Sequence, residues 1–125
     1  MSLETIKIRL FTSPTIPVFP YNVHFSILIP ALELLIKADF QQNQGVGVIV
    51  ITPTRELALQ IYDIAKELLF LAHKKCGVII GGGYRKKEAN KLIKGVNLLI
   101  ATPGRLMDHL NNTEGFNYNN LCMLI

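Results

Sequence analysis

Three short aliphatic runs set the limits on what this chain can fold into: Val46 to Ile51, Cys76 to Ile80 and Asn97 to Ala101. Each ends in a break, and each break is followed by residues whose apolar positions recur at helical spacing. The runs are read as strands, and the β-branched run Val46 to Ile51 suits a buried one. Strand, break and helix in regular succession predict an α/β layered domain with a mainly parallel sheet. A fourth strand begins at Leu121 to Ile125, after a polar loop from Asn111 to Asn120.

The helical stretches follow from the same reading. From Phe25 onward Leu28, Ala31, Leu32, Leu35 and Ile36 fall on one stripe, and Asp39 to Gly45 reads as a loop. Pro53 to about Ala72 reads as a helix with Leu57, Leu59, Ile61, Ile64, Ala65, Leu68 and Leu69 as core positions. Arg85 to Lys94 is a shorter helix, whose Lys87, Lys91 and Lys94 share a solvated face. Residues 1–24 differ. Thr5 to Phe11 alternates like a short strand, and Pro14, Pro17 and Pro20 then block any regular element. The expected organisation is a poorly ordered, divergent arm over 1–24 and one domain over 25–125.

Composition removes several function classes. Of 125 residues, 50% are apolar and 18% charged, which is globular and not disordered. Cys76, Cys122 and the three histidines have no metal-like spacing, and two cysteines without a CxxC suit a reduced intracellular chain. The longest apolar run, Phe25 to Ile36, is too short to span a bilayer, and the N-terminus does not open like a secretory signal. No membrane role is expected. A net charge of +4 fits a polyanion partner without demanding one.

Where a strand runs into a helix N-terminus, free backbone N–H groups and the positive dipole end favour an anion. Thr52-Pro53-Thr54-Arg55 has that design, with Thr52 as expected N-cap, Pro53 in the first turn and Arg55 as a fixed charge. Thr102-Pro103-Gly104-Arg105 repeats it, and Gly81-Gly82-Gly83 breaks the strand between them. All three lie at strand carboxyl ends, where ligands of parallel sheets gather. One groove lined by two arginines, two helix starts and a bare glycine backbone suits successive phosphates of a strand. Asp108, three residues after Arg105, offers that arginine a competing partner on the helix. Tyr84 either stacks on a base or packs over the helix that follows it. A dinucleotide fold is disfavoured, because the glycines lack the G-x-G-x-x-G spacing.

Pro53-Thr54-Arg55-Glu56-Leu57-Ala58, Gly81-Gly82 and Thr102-Pro103-Gly104-Arg105 resemble, in order and spacing, three RNA-contacting motifs of the DEAD-box RNA helicases. The resemblance runs from about Phe25 to Ile125. It implies an incomplete RecA-like, P-loop NTPase-type three-layer domain, part of an ATP-dependent RNA helicase. By the same resemblance Pro53, Thr54 and Arg55 contact the RNA backbone, Gly81 and Gly82 admit the strand, and Thr102, Pro103, Gly104 and Arg105 hold neighbouring phosphates. Ile29-Pro30-Ala31-Leu32-Glu33 and Asn112-Thr113-Glu114-Gly115-Phe116 look like the nucleolar branch that works on ribosome assembly. That implies a nuclear, nucleolar protein acting on pre-ribosomal particles, with no DNA partner. The family as a whole uses ATP and Mg²⁺.

This chain departs from the pattern at both ends. The family's Gly-Lys-Thr of the phosphate loop falls on Asn22-Val23-His24, Pro17 to Tyr21 hold no glycine, and the sequence stops where Asp-Glu-Ala-Asp would begin. No catalytic residue, metal ligand or cofactor is therefore expected within 1–125, and the piece is expected not to hydrolyse ATP alone. The alternative reading is a stand-alone, non-catalytic RNA-binding or helicase-interacting protein.

Overall fold

The computed structural model describes residues 22–125, with side chains from Ser26 onward. The proposed strand over Thr5 to Phe11 and the proline-rich arm lie outside the described residues, apart from 22–24. The elements are α1 (Asn22–Lys37), a 3-10 turn (Gln42–Gln44), β1 (Val48–Ile51), α2 (Arg55–Leu71), β2 (Cys76–Ile79), α3 (Arg85–Lys94), β3 (Leu98–Ala101), α4 (Pro103–Asn112) and β4 (Met123–Leu124). The sheet is parallel throughout, in the order β2-β3-β1-β4.

Strand periodicity sorts the core into two layers. Val48 and Val50 of β1, with Leu98 and Ile100 of β3, face α1 and α2, where Leu28, Ala31, Leu35, Ala58, Ile61, Ala65 and Leu69 meet them. Ile49, Leu99, Ala101 and Ile79 point the other way, against Leu92 of α3, Leu106 of α4 and Phe116. Every residue of β3 is buried, as a central strand covered on both faces requires.

Several boundaries differ from the sequence expectation. The first helix after a strand starts at Arg55, not Pro53, and its N-cap is Thr54, whose Oγ1 accepts from Leu57 N–H at 3.2 Å. Thr52 is not the cap; it is buried, and its hydroxyl donates to the Thr54 carbonyl at 3.1 Å. Two prolines in similar words thus act differently: Pro103 is the first residue of α4, whereas Pro53 precedes α2 by two. Leu59 and Ile36 are exposed, because the apolar arcs of α2 and α1 centre on Ala58 and Ala31. Alanine lets a helix approach the sheet closely; Ala31 was among the expected core positions, and Ala58 was not. The loop expected from Asn111 starts later, since α4 continues to Asn112.

At the amino ends of the strands one buried side chain ties the connections together. Asn97, only 1% exposed, accepts from Lys75 N–H through Oδ1 at 3.1 Å and donates through Nδ2 to the carbonyls of Gln41 (3.0 Å) and Gly45 (3.1 Å). Its backbone carbonyl accepts from Gly47 N–H at 2.8 Å, and Lys74 Nζ caps the Phe40 carbonyl at 2.7 Å.

Candidate nucleic-acid interface

The register decides where the three special turns go. Ala101 pairs with Ile51 on one side and with Ile79 on the other, so β1, β3 and β2 end level. The ladder continues one step further, with Thr52 N–H bonded to the Ala101 carbonyl at 2.9 Å and Thr102 N–H to the Ile79 carbonyl at 3.2 Å. The chain then leaves the sheet three times along one edge. Pro53, Arg55, Gly81, Thr102, Gly104, Arg105 and Asp108 line a groove of about 420 Å³ there. Thr54, Gly82 and Pro103 adjoin these residues in the chain and shape the turns. The structure thus brings the sequence-predicted residues of all three turns to one edge.

The first turn offers a side chain. Arg55 is exposed and makes no ion pair with any described residue. Its guanidinium lies over the glycine turn: a Cβ added at Gly82 would stand 2.8 Å from Nη1, and one at Gly81 would stand 3.4 Å from Nη2. That turn is closed by Gly83 N–H to the Ile80 carbonyl at 3.3 Å, with Gly82 at φ 82°, which favours a residue without Cβ. The bare backbone expected to receive a strand is, in this structure, the seat of Arg55.

The second turn offers backbone. Thr102 caps α4 without a side-chain bond, and the first intrahelical bond is Leu106 N–H to the Thr102 carbonyl at 3.0 Å. The N–H groups of Gly104 and Arg105 come before it, at the positive end of the helix. Nothing lies within 4 Å of where a Gly104 Cβ would stand. Arg105, by contrast, is held from within. Its Nε donates to Glu88 Oε1 at 2.7 Å, and Nη2 donates to the Gly83 carbonyl. Asp108, the partner expected from spacing, is a distant 4.0 Å from Nη1. Asp108 is engaged by Arg85 instead, Nε to Oδ2 at 2.8 Å and Nη2 to Oδ1 at 3.3 Å. This arginine hydrogen bond, with one from Asn112, holds the Asp108 carboxyl down to about 2.

Three supporting residues were not picked out as site residues by sequence reasoning. Glu88 is buried, and besides Arg105 it accepts from Ile80 N–H (3.0 Å) and faces His109 Nε2 (3.0 Å). His109, expected to be an ordinary helix or loop residue, is fully buried, with Nδ1 at 2.7 Å from Thr113 Oγ1. A carboxylate against Nε2 places a proton on that nitrogen. Arg85 bonds Thr113 Oγ1 as well, at 3.3 Å. The available signal was spacing: Arg105, His109 and Thr113 stand four apart on one helical face, and Glu88 is the lone acid of a basic helix. Tyr84 is 80% exposed, with Lys87 Nζ 5.2 Å from its ring centroid. Lys87, Lys91 and Lys94 are all exposed, as read from sequence. Among the described residues no group of three histidine, cysteine, aspartate or glutamate side chains is placed to hold a metal ion. No helix among them is long and apolar enough to cross a membrane.

Comparison with known proteins adds a family context. A family model described as DEAD/DEAH box helicase matches residues 25–125. The chain is 57% identical over 100 residues to the ATP-dependent RNA helicase has1 of Schizosaccharomyces pombe, covering 80% of this chain and 17% of that protein. It is 58% identical over 100 residues to the ATP-dependent RNA helicase HAS1 of Saccharomyces cerevisiae, covering 80% and 20% respectively. The chain thus spans about a fifth of the curated relatives it matches. Among solved structures, the yeast DEAD-box splicing factor Prp28 superposes with a TM-score of 0.72 at 23% identity, covering 87% of this chain and 26% of that one. The three-layer RecA-like architecture expected from the motifs is the one found.

Proposed function

The chain belongs to the DEAD/DEAH box helicase family, and from that premise we propose that it is the part of an ATP-dependent RNA helicase that grips the phosphate–ribose backbone of RNA without reading sequence. The observation that carries this is Arg55: an exposed guanidinium in a groove, unpaired by any described residue, beside the open start of α4. A guanidinium and two helix-end N–H groups recognise phosphate oxygens, which are the same on every nucleotide. Gly104 leaves room for a backbone to approach α4, since nothing in the described chain occupies that space. Pro53, Thr54, Gly81, Gly82, Thr102 and Pro103 build the turns from which these groups are presented.

The ribosome-assembly role, with pre-ribosomal particles as partners and the nucleolus as location, is part of the same proposal. Identity of 57–58% to two HAS1 helicases supports it. ATP and Mg²⁺ belong to the activity of the whole protein. The phosphate-loop pattern G-x-x-x-x-G-K-[ST] does not occur in this sequence, and positions 22–24, where its end would fall, are Asn-Val-His within α1. No step of hydrolysis is assigned to these residues.

The test is the salt dependence of single-stranded RNA binding. Arg55→Ala should weaken binding to all sequences alike and reduce the slope of log K against log salt by about 0.7, one phosphate's share on a single strand. Gly104→Leu should weaken binding while leaving the fold intact. Unchanged affinity in both variants would sink the reading.

A further inference from the structure

We infer that Glu88 is a positioning residue of the groove: its carboxylate fixes Arg105 and the glycine turn relative to each other. The inference rests on the RNA-backbone reading above. Glu88 is only 8% exposed, and its two oxygens gather three groups from two segments outside its own helix. Oε2 takes the N–H of Ile80, where β2 enters the turn; Oε1 takes Arg105 Nε at the start of α4 and His109 Nε2 one helical turn later. Arg105 closes the ring by donating to the carbonyl of Gly83 in that turn. With Nε and one terminal nitrogen engaged, Nη1 is the end of the guanidinium left beside the groove wall, where Arg105 and Asp108 both stand.

A carboxylate near a phosphate site is unfavourable by simple electrostatics, since it repels the ligand. Glu88 is acceptable there because it sits behind Arg105 and holds that cation in place. The two roles predict opposite signs. If Glu88 were only a nearby negative charge, removing it would tighten RNA binding. If it positions Arg105, removing it frees the guanidinium, and binding weakens although the net charge becomes more positive.

The experiment measures single-stranded RNA affinity and thermal melting on the full-length protein for Glu88→Ala, Glu88→Gln, Arg105→Ala, the Glu88→Ala/Arg105→Ala pair, and Arg55→Ala. Glu88→Ala should weaken binding about tenfold, the scale of one charge-assisted contact. In the Arg105→Ala background it should cost nothing further, because it acts through that residue. Glu88→Gln keeps an oxygen for Arg105 but turns an NH₂ towards the Ile80 N–H. Its melting temperature should fall while its affinity stays within about twofold of the parent. That variant carries the test even where Glu88→Ala does not fold. Tighter or unchanged binding in Glu88→Ala overturns the inference, as does Glu88→Gln affinity that falls in step with stability, or additive losses in the pair. Loss of affinity in Arg55→Ala with none in Glu88→Ala removes the positioning role alone; no loss in either removes the RNA reading as well.

Discussion

Thr52–Arg55 and Thr102–Arg105 look like two copies of one device in the sequence, and the structure shows them built in opposite ways. In the first, the helix start carries a side-chain cap, Thr54 on Leu57 N–H, and the arginine is left exposed. In the second, the helix start has no side-chain cap, and the arginine is tied to Glu88 and the Gly83 carbonyl. One unit presents an unpaired side-chain charge at a capped helix start; the other presents the N–H groups of an uncapped start beside an immobilised charge. An anion in the groove would thus meet a donor that adapts and donors that do not. Similar residues at similar spacing do not establish similar roles; the partners each arginine finds in the fold decide that.

The difference can be broken most forcefully at the arginines. Arg105→Ala leaves Glu88 buried without its ion-pair partner and should destabilise the fold by about 3 kcal/mol, whereas Arg55→Ala should stay within about 0.5 kcal/mol in urea denaturation. Equal costs would remove the distinction. The glycines come next, and here the signs should differ. Gly82→Ala, at φ 82° and pressed against Arg55 Nη1, should cost about 1–2 kcal/mol. Gly104→Ala meets nothing and lies in a helix, so thermal melting should show a gain of up to about 1 kcal/mol.

The caps sharpen the contrast further. Thr54→Ala should cost about 1 kcal/mol through the lost bond to Leu57 N–H, and Thr102→Ala, which breaks no such bond, only a few tenths. The smallest effect is in pH. Asp108 has its folded pKa lowered to about 2 from an ordinary 3.8. Its contribution is therefore present above about pH 4 and fades as pH falls through about 2. Asp108→Asn should remove that part of the acid-side loss of stability, read as a flatter melting temperature between those limits, while Arg55 variants should leave the acid limb unchanged.

The layered α/β architecture and the three turns at strand carboxyl ends were legible in the sequence because they rest on short-range pattern: short apolar runs, each followed by a break and a helix. The placement of the groove followed from those ends. What was not legible depends on long-range pairing. Nothing local marks Glu88 as the partner of Arg105, 17 positions away, in preference to Asp108 on the same helix. Thr52 is a local case: its hydroxyl looked like a cap, but the helix starts later, at Arg55, and the hydroxyl bonds the Thr54 carbonyl two residues on. His109 was read as ordinary because the histidines have no metal-like spacing, and only the fold buries it against a carboxylate.

Asn97 has a consequence for how the molecule opens. It binds the chain at residues 41, 45 and 75 at the end of the sheet away from the groove. Local fluctuation is thereby unevenly distributed: the amides at Gly47, Val48, Lys75, Asn97 and Leu98 are bonded around one buried side chain. They should be among the slowest in the chain to exchange with deuterium, while those of the glycine turn and the first turn of α4 exchange early. A ligand arriving at the groove would then slow the fast set and leave the slow set unchanged, so protection itself would report which end of the sheet is occupied.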